Sequence, residues 1–324
     1  MKRLKLVKDD VNIDWFKHAR LTFGASCVAV VLSVVVWAIL GLNFGIDFQG
    51  GTTIRTQAEE PVDVAAYRAA LAPLGLGDVV ISEVYDPGFA TNAANVAMVR
   101  IAAQPGEDSV TPETVNAVRG ALAEVAPSVT FTSVESVGPK VSGELIQTAF
   151  LAVAASLGAI LIYIWLRFEW QFSVGAVAAL FHDVILTIGI FSVLRIQFDL
   201  ATIAAILTII GYSINDTVVI FDRLRENLIR YKSRPLREVM NLSVNETLSR
   251  TVMTSGTTLV ALIALLVLGG DVIRGFVFAI TWGVIVGTYS SVFVAKNIVL
   301  MLGVKRDWSK PDKTEGNQFA APGP

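Results

Sequence analysis

Six long apolar stretches, separated by polar segments, dominate the pattern of the chain. A helix that crosses a bilayer needs about 20 apolar residues, and each stretch is long enough. We therefore predict membrane-spanning helices at residues 21–42, 145–166, 170–194, 200–222, 251–270 and 275–302. The first stretch has no small-residue cleavage site after a short apolar core, so it is interpreted as a retained helix and not as a signal peptide.

The segment 43–141, between the first two apolar stretches, has the pattern of a folded α+β unit. Alternating residues predict strands at 52–57, 79–85, 96–103 and 129–137, and helical periodicity predicts helices at 61–74 and 112–126. Thr111 is a candidate N-cap, followed by Pro112 at the first helical position. The order βαββαβ predicts a small ferredoxin-like domain. The predicted fold class is thus a polytopic α-helical membrane protein with one α+β domain between helices 1 and 2.

The basic residues predict the orientation of the helices. The N-terminal segment 1–20 carries six Lys and Arg residues, the loop 223–250 carries seven and the tail 303–324 carries four, whereas the two short loops on the opposite side have only Arg195 and Arg274. Lys and Arg accumulate on the cytoplasmic side of spanning helices. We therefore expect both termini to be cytoplasmic, segment 43–141 to be periplasmic, and the polar tail to be disordered.

Composition supports this assignment and narrows the chemistry. The chain is 53% hydrophobic and 17% charged, whereas soluble domains average about 25% charged residues. The single cysteine, Cys27, and the two histidines make a disulfide framework or a Cys- or His-based metal site improbable. There is no nucleotide-binding loop. We expect no enzyme activity, no cofactor, no metal and no nucleic-acid partner.

Three ionisable residues lie inside apolar stretches and are candidates for an ion path. Asp216 lies in the fourth stretch, and His182 and Asp183 lie near the middle of the third. A charge at the centre of a spanning helix costs about 2.5–3.5 kcal/mol on insertion scales, so such residues usually have a function. The alternatives are that each acid caps a neighbouring helix or pairs permanently with a base, and that His182 only packs.

Helical spacing suggests partners for Asp216. Arg223 follows it by two turns on nearly the same face, and Arg250 opens the fifth helix. Three hydroxyl residues share one face after Arg250: Thr254, Thr257 and Thr258. They could carry hydrogen bonds beside the acid, or they could serve ordinary helix packing.

The sixth stretch has small residues at a four-residue spacing. These are Gly283, Gly287, Ser291 and Ala295. Such a stripe lets another helix approach closely, either within this chain or in a partner. Near the end of the same stretch, Lys296 is expected to extend its amine to the membrane interface.

Several strings resemble those of one known family. They are FGIDFQGGT (44–52), ALFHDV (179–184), GYSINDTVVIFDRLREN (211–227), NLSVNETLSRTVMTSGTTL (241–259) and GTYSSVFVA (287–295). In this order they resemble the SecF family, the smaller subunit of the bacterial SecD–SecF protein-export complex. The resemblance covers nearly the whole chain, and the tail and the α+β segment are its least specific parts.

The resemblance implies a mechanism and a set of partners. The family forms one six-helix half of an RND-type transporter, with SecD as the other half, in the bacterial inner membrane. It uses the proton motive force to drive an unfolded polypeptide through the Sec translocon channel; membrane lipid surrounds it, and the coupling ion is H⁺ or, alternatively, Na⁺. The family pattern assigns proton conduction to Asp216 and Arg250 and a hinge to Asp47, Gly50 and Gly51.

Three alternatives stay open from the residues. A purely structural subunit would stabilise a partner half-transporter, and an RND-type efflux half would move lipid or small molecules. An intramembrane aspartyl protease could use Asp183 and Asp216 as its acid pair, but the SIND context lacks the Gly-x-Gly-Asp string of that class.

Overall fold

Long helices and one small mixed domain make up the described part of the chain. The computed structural model describes residues 12–59, 61–84, 95–103 and 110–304. The helices are α1 (Ala19–Leu40), α2 (Ile46–Gln49), α3 (Val64–Leu71), α4 (Pro112–Val125), α5 (Pro139–Arg167), α6 (Trp170–Leu194), α7 (Leu200–Arg230), α8 (Leu236–Leu268), α9 (Asp271–Ser290) and α10 (Lys296–Leu302). The strands are β1 (Asn43–Phe44), β2 (Gly51–Ala58), β3 (Val79–Val84), β4 (Asn95–Ala102), β5 (Thr130–Val137) and β6 (Gln197–Phe198). The predicted tail beyond residue 304 and most of segment 1–20 lie outside the described residues.

Within the described residues, six helical segments are long and apolar enough to cross a membrane, which confirms the predicted fold class. Five of them are α1, α5, α6, α7 and α8, and the sixth runs from Ile273 to Leu302. In the sixth segment, α9 and α10 are joined by a π-helical turn, Ser291–Ala295. Such a turn widens the helix locally and is often found at functional sites.

The loop predicted at residues 223–250 is mostly helical. Helix α7 continues to Arg230, and α8 already begins at Leu236, so only a short turn separates them. The charged residues end the apolar pattern from which the loop was predicted, but the backbone of α7 and α8 stays helical through them. The extensions are joined by polar contacts: the Asn227 amide donates to Ser243 Oγ (3.0 Å) and to Glu246 Oε2 (2.6 Å).

The six spanning segments divide into a central and a peripheral group. In the most apolar part of each segment, 44% of residues are buried in α6, 44% in α7 and 61% in the sixth, but only 6% in α1, 6% in α5 and 11% in α8. The central core contains the aromatic cluster Phe168, Phe172 and Phe221. The peripheral helices therefore present apolar faces to lipid or to a partner.

The α+β domain has the predicted topology. Its sheet has the order β3-β4-β2-β5 with antiparallel neighbours, so β2 and β3 run parallel with β4 between them. This is a split βαβ arrangement, as in ferredoxin-like folds. Tyr67 of α3 and Leu122 of α4 pack on Ile54 and Val99 of the sheet. The Asp63 and Thr111 side chains cap α3 and α4.

A short junction ties this domain to the bundle. Strands β1 and β6 pair in parallel, so the segment after α1 lies beside the α6–α7 connection. Arg195 Nη1 donates to the Leu40 carbonyl (2.7 Å) and Arg100 Nη1 donates to the Phe44 carbonyl (2.8 Å). The latter bond reaches from β4 to the chain leaving α1. The sheet face opposite α3 and α4 and the ends of the bundle helices line an open cavity of about 720 Å³.

Close helix packing gives a first prediction. A Cβ on Gly283 would collide with the Ile209 side chain of α7, whereas a Cβ on Gly158 of α5 would meet nothing within 4 Å. Gly283→Ala should destabilise the protein by about 1–3 kcal/mol through overpacking. Gly158→Ala should be neutral or stabilise it by up to about 1 kcal/mol, because alanine favours helix. Thermal unfolding of both variants in detergent measures the difference, and equal shifts would contradict the packing account.

Candidate functional site

Asp216 lies in a polar cluster between three spanning helices. It is on α7 and only 3% exposed. Ser255 Oγ of α8 donates to Asp216 Oδ2 at 3.4 Å, which is long for an O–H···O bond. Ser255 Oγ also shares a hydrogen bond of 2.8 Å with Thr288 Oγ1 of α9 and accepts from the Tyr212 hydroxyl at 3.5 Å. The carboxyl is thus buried with loose hydroxyl contacts.

Arg250 lies close to Asp216 but is not bonded to it. Its positive charge acts on Asp216 through space, although the described residues show no ion pair between the two. The Arg250 side chain is exposed. Arg250 is thus near enough to influence Asp216 electrostatically, and the described residues show no permanent pair between the two.

Arg223 is directed away from Asp216. Its Nε donates to Glu246 Oε2 and its Nη1 to Glu226 Oε2, both at 2.7 Å. The two-turn spacing correctly placed Arg223 on the expected face of α7. Its guanidinium nevertheless bonds Glu246 of α8 and Glu226 of α7 instead of Asp216. The placement makes Arg223 part of the α7–α8 polar contact.

The predicted threonine stripe is also directed elsewhere. The hydroxyls of Thr254, Thr257 and Thr258 donate to carbonyls of their own helix, one turn earlier. The hydroxyls facing the bundle occupy a different four-residue repeat on α8: Ser243, Thr247, Thr251 and Ser255, all buried. That repeat is visible in the sequence, and it could have identified Ser255 as the neighbour of Asp216.

Asp183 forms a second, tighter cluster. It is 1% exposed on α6. Its Oδ2 accepts hydrogen bonds from Ser213 Oγ of α7 (2.6 Å) and Ser290 Oγ of α9 (2.8 Å). Its Oδ1 lies 2.9 Å from Nδ1 of His182, whose ring stacks on Tyr289. Within the described residues His182 Nε2 has no hydrogen-bond partner.

The two acids have separate partners and a shared framework. Ser213 lies one helical turn before Asp216 on α7, but its hydroxyl donates to Asp183 and not to Asp216. On the sixth spanning segment, Ser290 bonds Asp183, Thr288 bonds Ser255, and Ser291 shares a 2.8 Å hydrogen bond with Thr217 of α7. Among the described residues no hydrogen bond joins the two carboxyls, as one would in a protease pair that shares a proton. In the described residues no three His, Cys, Asp or Glu side chains lie together as metal ligands would.

The predicted hinge residues lie where the domain meets the bundle. Asp47, in the short helix α2, accepts a hydrogen bond at Oδ2 from the Leu200 amide that starts α7 (3.0 Å). Its carbonyl accepts from Ser142 Oγ near the start of α5 (2.9 Å). Gly50 and Gly51 follow with φ of +71° and +124° and lead directly into β2.

Comparison with known proteins identifies the family. Residues 117–305 match the family model described as "Protein export membrane protein SecD/SecF, C-terminal", and residues 35–62 match the SecD/SecF GG motif. The chain is 65% identical to the protein translocase subunit SecF of Cereibacter sphaeroides, over 98% of both chains. It is 59% identical to SecF of Rhodobacter capsulatus, over 99% of both. The chain belongs to the SecF family.

A solved structure agrees with this assignment. SecDF from Thermus thermophilus matches with a TM-score of 0.82 at 37% identity, covering 92% of this chain. The chain spans only 39% of that SecDF chain. The chain is therefore a protein-export membrane subunit of this family, and the matched GG motif contains Gly50 and Gly51. The family descriptions name protein export and not the efflux or protease alternatives.

The small-residue stripe of the sixth segment lies in close helix contacts. A Cβ on Gly287 would lie 3.0 Å from Ser213 Cβ, so the glycine lets the sixth segment approach α7 closely. Gly283 faces Ile209 in the same contact, and a Cβ on Gly175 of α6 would lie 2.8 Å from the Ala295 carbonyl. The stripe thus packs within the chain, against α7 and α6.

Lys296 contradicts the expectation that it reaches the membrane interface. It is 1% exposed, and its Nζ has no hydrogen-bond partner among the described residues. Nζ lies 3.9 Å from the ring centroid of Phe16, within the range of a cation–π contact. The segment before α1 folds over this helix end, with the Trp15 amide donating to Asn241 Oδ1 (2.8 Å). The lysine was expected outside because the sequence does not reveal this cover.

The Asp183 cluster predicts a stability difference between two serines. Ser290→Ala removes a donor to a buried carboxylate and should destabilise SecF by on the order of 1–2 kcal/mol. The control Ser192→Ala removes a buried hydroxyl that donates to the Ile188 carbonyl of its own helix, so it should cost less. Thermal unfolding in detergent compares them, and an equal or larger loss in Ser192→Ala would be inconsistent with this role of Ser290.

Proposed function

We propose that this SecF chain pairs with SecD and couples downhill proton movement to the export of unfolded polypeptide through the Sec translocon. One observation carries the proposal: Asp216 is buried between three spanning helices, with a long hydroxyl contact and the nearby charge of Arg250, but without an ion pair. A carboxyl held loosely in this way can lose and regain a proton without disrupting a permanent salt bridge.

The proposed orientation follows the basic residues. Both termini lie in the cytoplasm, and the chain is a multi-pass protein of the bacterial inner membrane, because Lys and Arg cluster at one end of the helices. The α+β domain then lies on the periplasmic side, where an exported polypeptide emerges. Asp216 faces α8 and α9 inside this bundle.

The proposed coupling step is electrostatic. When Asp216 is charged, it attracts Arg250 and holds the start of the apolar part of α8 against α7. Protonation removes this attraction, and the two helices repack. One proton crossing the membrane supplies about 2.3 kcal/mol per 100 mV, which can shift a two-state equilibrium by more than tenfold.

The movement would reach the α+β domain through α7. This helix carries Asp216, and its first amide, at Leu200, is bonded to Asp47 beside the GG motif. The 720 Å³ cavity between the sheet and the helix ends gives the domain space to move. No enzymatic step and no cofactor enter this scheme; H⁺ is the proposed coupling ion, with Na⁺ as the alternative.

Substitution of Asp216 tests the proposal. Asp216→Asn preserves shape but cannot exchange a proton, so proton-stimulated export should be lost while the variant still co-purifies with SecD. Translocation of a model preprotein into inverted membrane vesicles, with and without a proton gradient, measures this. Replacing the proton gradient with a Na⁺ gradient tests the coupling ion.

A matched control separates coupling from general charge loss. Asp222→Asn, near the end of α7, removes a half-exposed carboxylate that pairs with Arg167 at 2.6 Å. It should leave the proton stimulation intact, since its pair is solvated. If Asp216→Asn exports as well as the wild type under a proton gradient, SecF acts as a structural subunit that stabilises SecD and does not couple ions.

The GG motif gives a separate prediction for transmission. A Cβ on Gly51 would collide with the Ile101 carbonyl, and φ of +124° is essentially restricted to glycine. Gly51→Ala should therefore disturb the junction and reduce export. The control Gly75→Ala has φ of +63° but nothing within 4 Å of the new Cβ, so its cost should be about 1–2 kcal/mol and confined to the domain. Export at equal protein levels compares them, and equal activity would argue against a role of the junction.

A further inference from the structure

A basic pocket lies where the chain enters the first spanning helix. It has a volume of about 510 Å³ and lies at the start of α1. Its cationic or donor side chains are Lys17, His18 and Arg20 from the segment entering α1 and Arg237 from α8. Two separate parts of the chain therefore place basic groups around one cavity, away from the Asp216 and Asp183 clusters.

The positive charge of this pocket is poorly compensated. The described residues provide no carboxylate within 4 Å of Lys17 or Arg20, and both side chains are exposed. Arg237 contacts Asp14 at 3.4 Å, but both side chains are about half exposed, so solvent weakens the pair. An anion entering the pocket would meet at least two basic groups without displacing a buried salt bridge.

The wall of the pocket is fixed before any ligand binds. Phe16 lines it and is buried, with Lys296 Nζ over its ring. The neighbouring Trp15 is held on α8 by its backbone amide to Asn241 and by its indole Nε1 to Asn245 Oδ1 at 2.9 Å. The segment carrying Lys17 is thus anchored beside Arg237, so little ordering is required for binding.

The position of the pocket selects the kind of anion. It lies at the start of an apolar spanning helix, which in the proposed orientation is the level of the lipid headgroups. Exposed Leu21 lines it, and Val28 and Leu32 continue this exposed apolar stripe along α1 at helical spacing. A ligand with a phosphate and a hydrocarbon chain could therefore use both features. Basic pockets at helix ends are a known form of anionic headgroup site.

We propose that this pocket binds the phosphate headgroup of an anionic phospholipid, with one acyl chain along the exposed face of α1. Lys17 and Arg20 supply the principal charge, and Arg237 closes the site from α8. The lipid would link the start of α1 to α8, the helix that also carries Arg250 and Ser255. The proposal does not depend on proton coupling, since it rests on charge and geometry alone.

Native mass spectrometry of the full chain in detergent tests the site directly. Phosphatidylglycerol, phosphatidylethanolamine and inorganic phosphate are added separately, and the bound fraction of each is titrated. We expect phosphatidylglycerol to bind preferentially. Each removed charge should weaken it by about fivefold, so Lys17→Gln/Arg20→Gln should lose on the order of 25-fold.

A charge-matched control locates the effect. Arg225→Gln/Lys140→Gln removes two exposed basic residues outside the pocket and should keep the wild-type affinity. Equal loss in both double variants, or equal binding of the two lipids by the wild type, would overturn the proposal. Competition by inorganic phosphate at concentrations similar to those of the lipid would instead identify a free-phosphate site and refute the lipid assignment.

Discussion

The need to compensate carboxylates inside an apolar bundle organises the centre of this structure. A charged side chain in the bilayer is costly unless other groups hydrogen-bond to it. Asp183 obtains two serine hydroxyls and a histidine from three helices, whereas Asp216 has one long serine contact. Asp183 is thus compensated by several short hydrogen bonds, whereas Asp216 has only a long one. The weaker compensation of Asp216 suits a carboxyl that gains and loses a proton.

Hydroxyl groups reach the acids only because the helices approach closely. Serine and threonine side chains are short, so their donors serve a neighbouring helix only when the backbones nearly touch. Gly287 opposite Ser213 permits that approach between the sixth segment and α7. The π-helical turn begins at Ser291, next to Ser290, which bonds Asp183. In this segment, the small residues therefore allow the close helix approach, and the adjacent hydroxyl residues form hydrogen bonds across it.

Much of the architecture follows from sequence patterns, because burial in lipid imposes strong ones. Hydropathy predicts the six spanning helices, and alternation with turn residues predicts the α+β domain. The contacts of interior side chains are harder to predict, because the sequence does not show which face of a helix will meet which neighbouring helix. Helical spacing favoured the face that carries Thr254, and Ser255 was therefore missed as the neighbour of Asp216. Lys296 was expected at the membrane interface, because its contact with Phe16 could not be foreseen from the sequence. Charged stretches were assigned to a loop although α7 and α8 continue through them.

Helix α7 connects Asp216 to the junction between the bundle and the α+β domain. Its middle carries Asp216 and the serine that serves Asp183, and its first amide is bonded to Asp47 at the junction. A helix transmits a small rotation along its length because its backbone bonds resist local change. An alternative route through α8 would leave the membrane at Gly269, beyond which α9 leads back into the bundle. A change at Asp216 that moved α7 would therefore reach Asp47, beside the GG motif, through this bond.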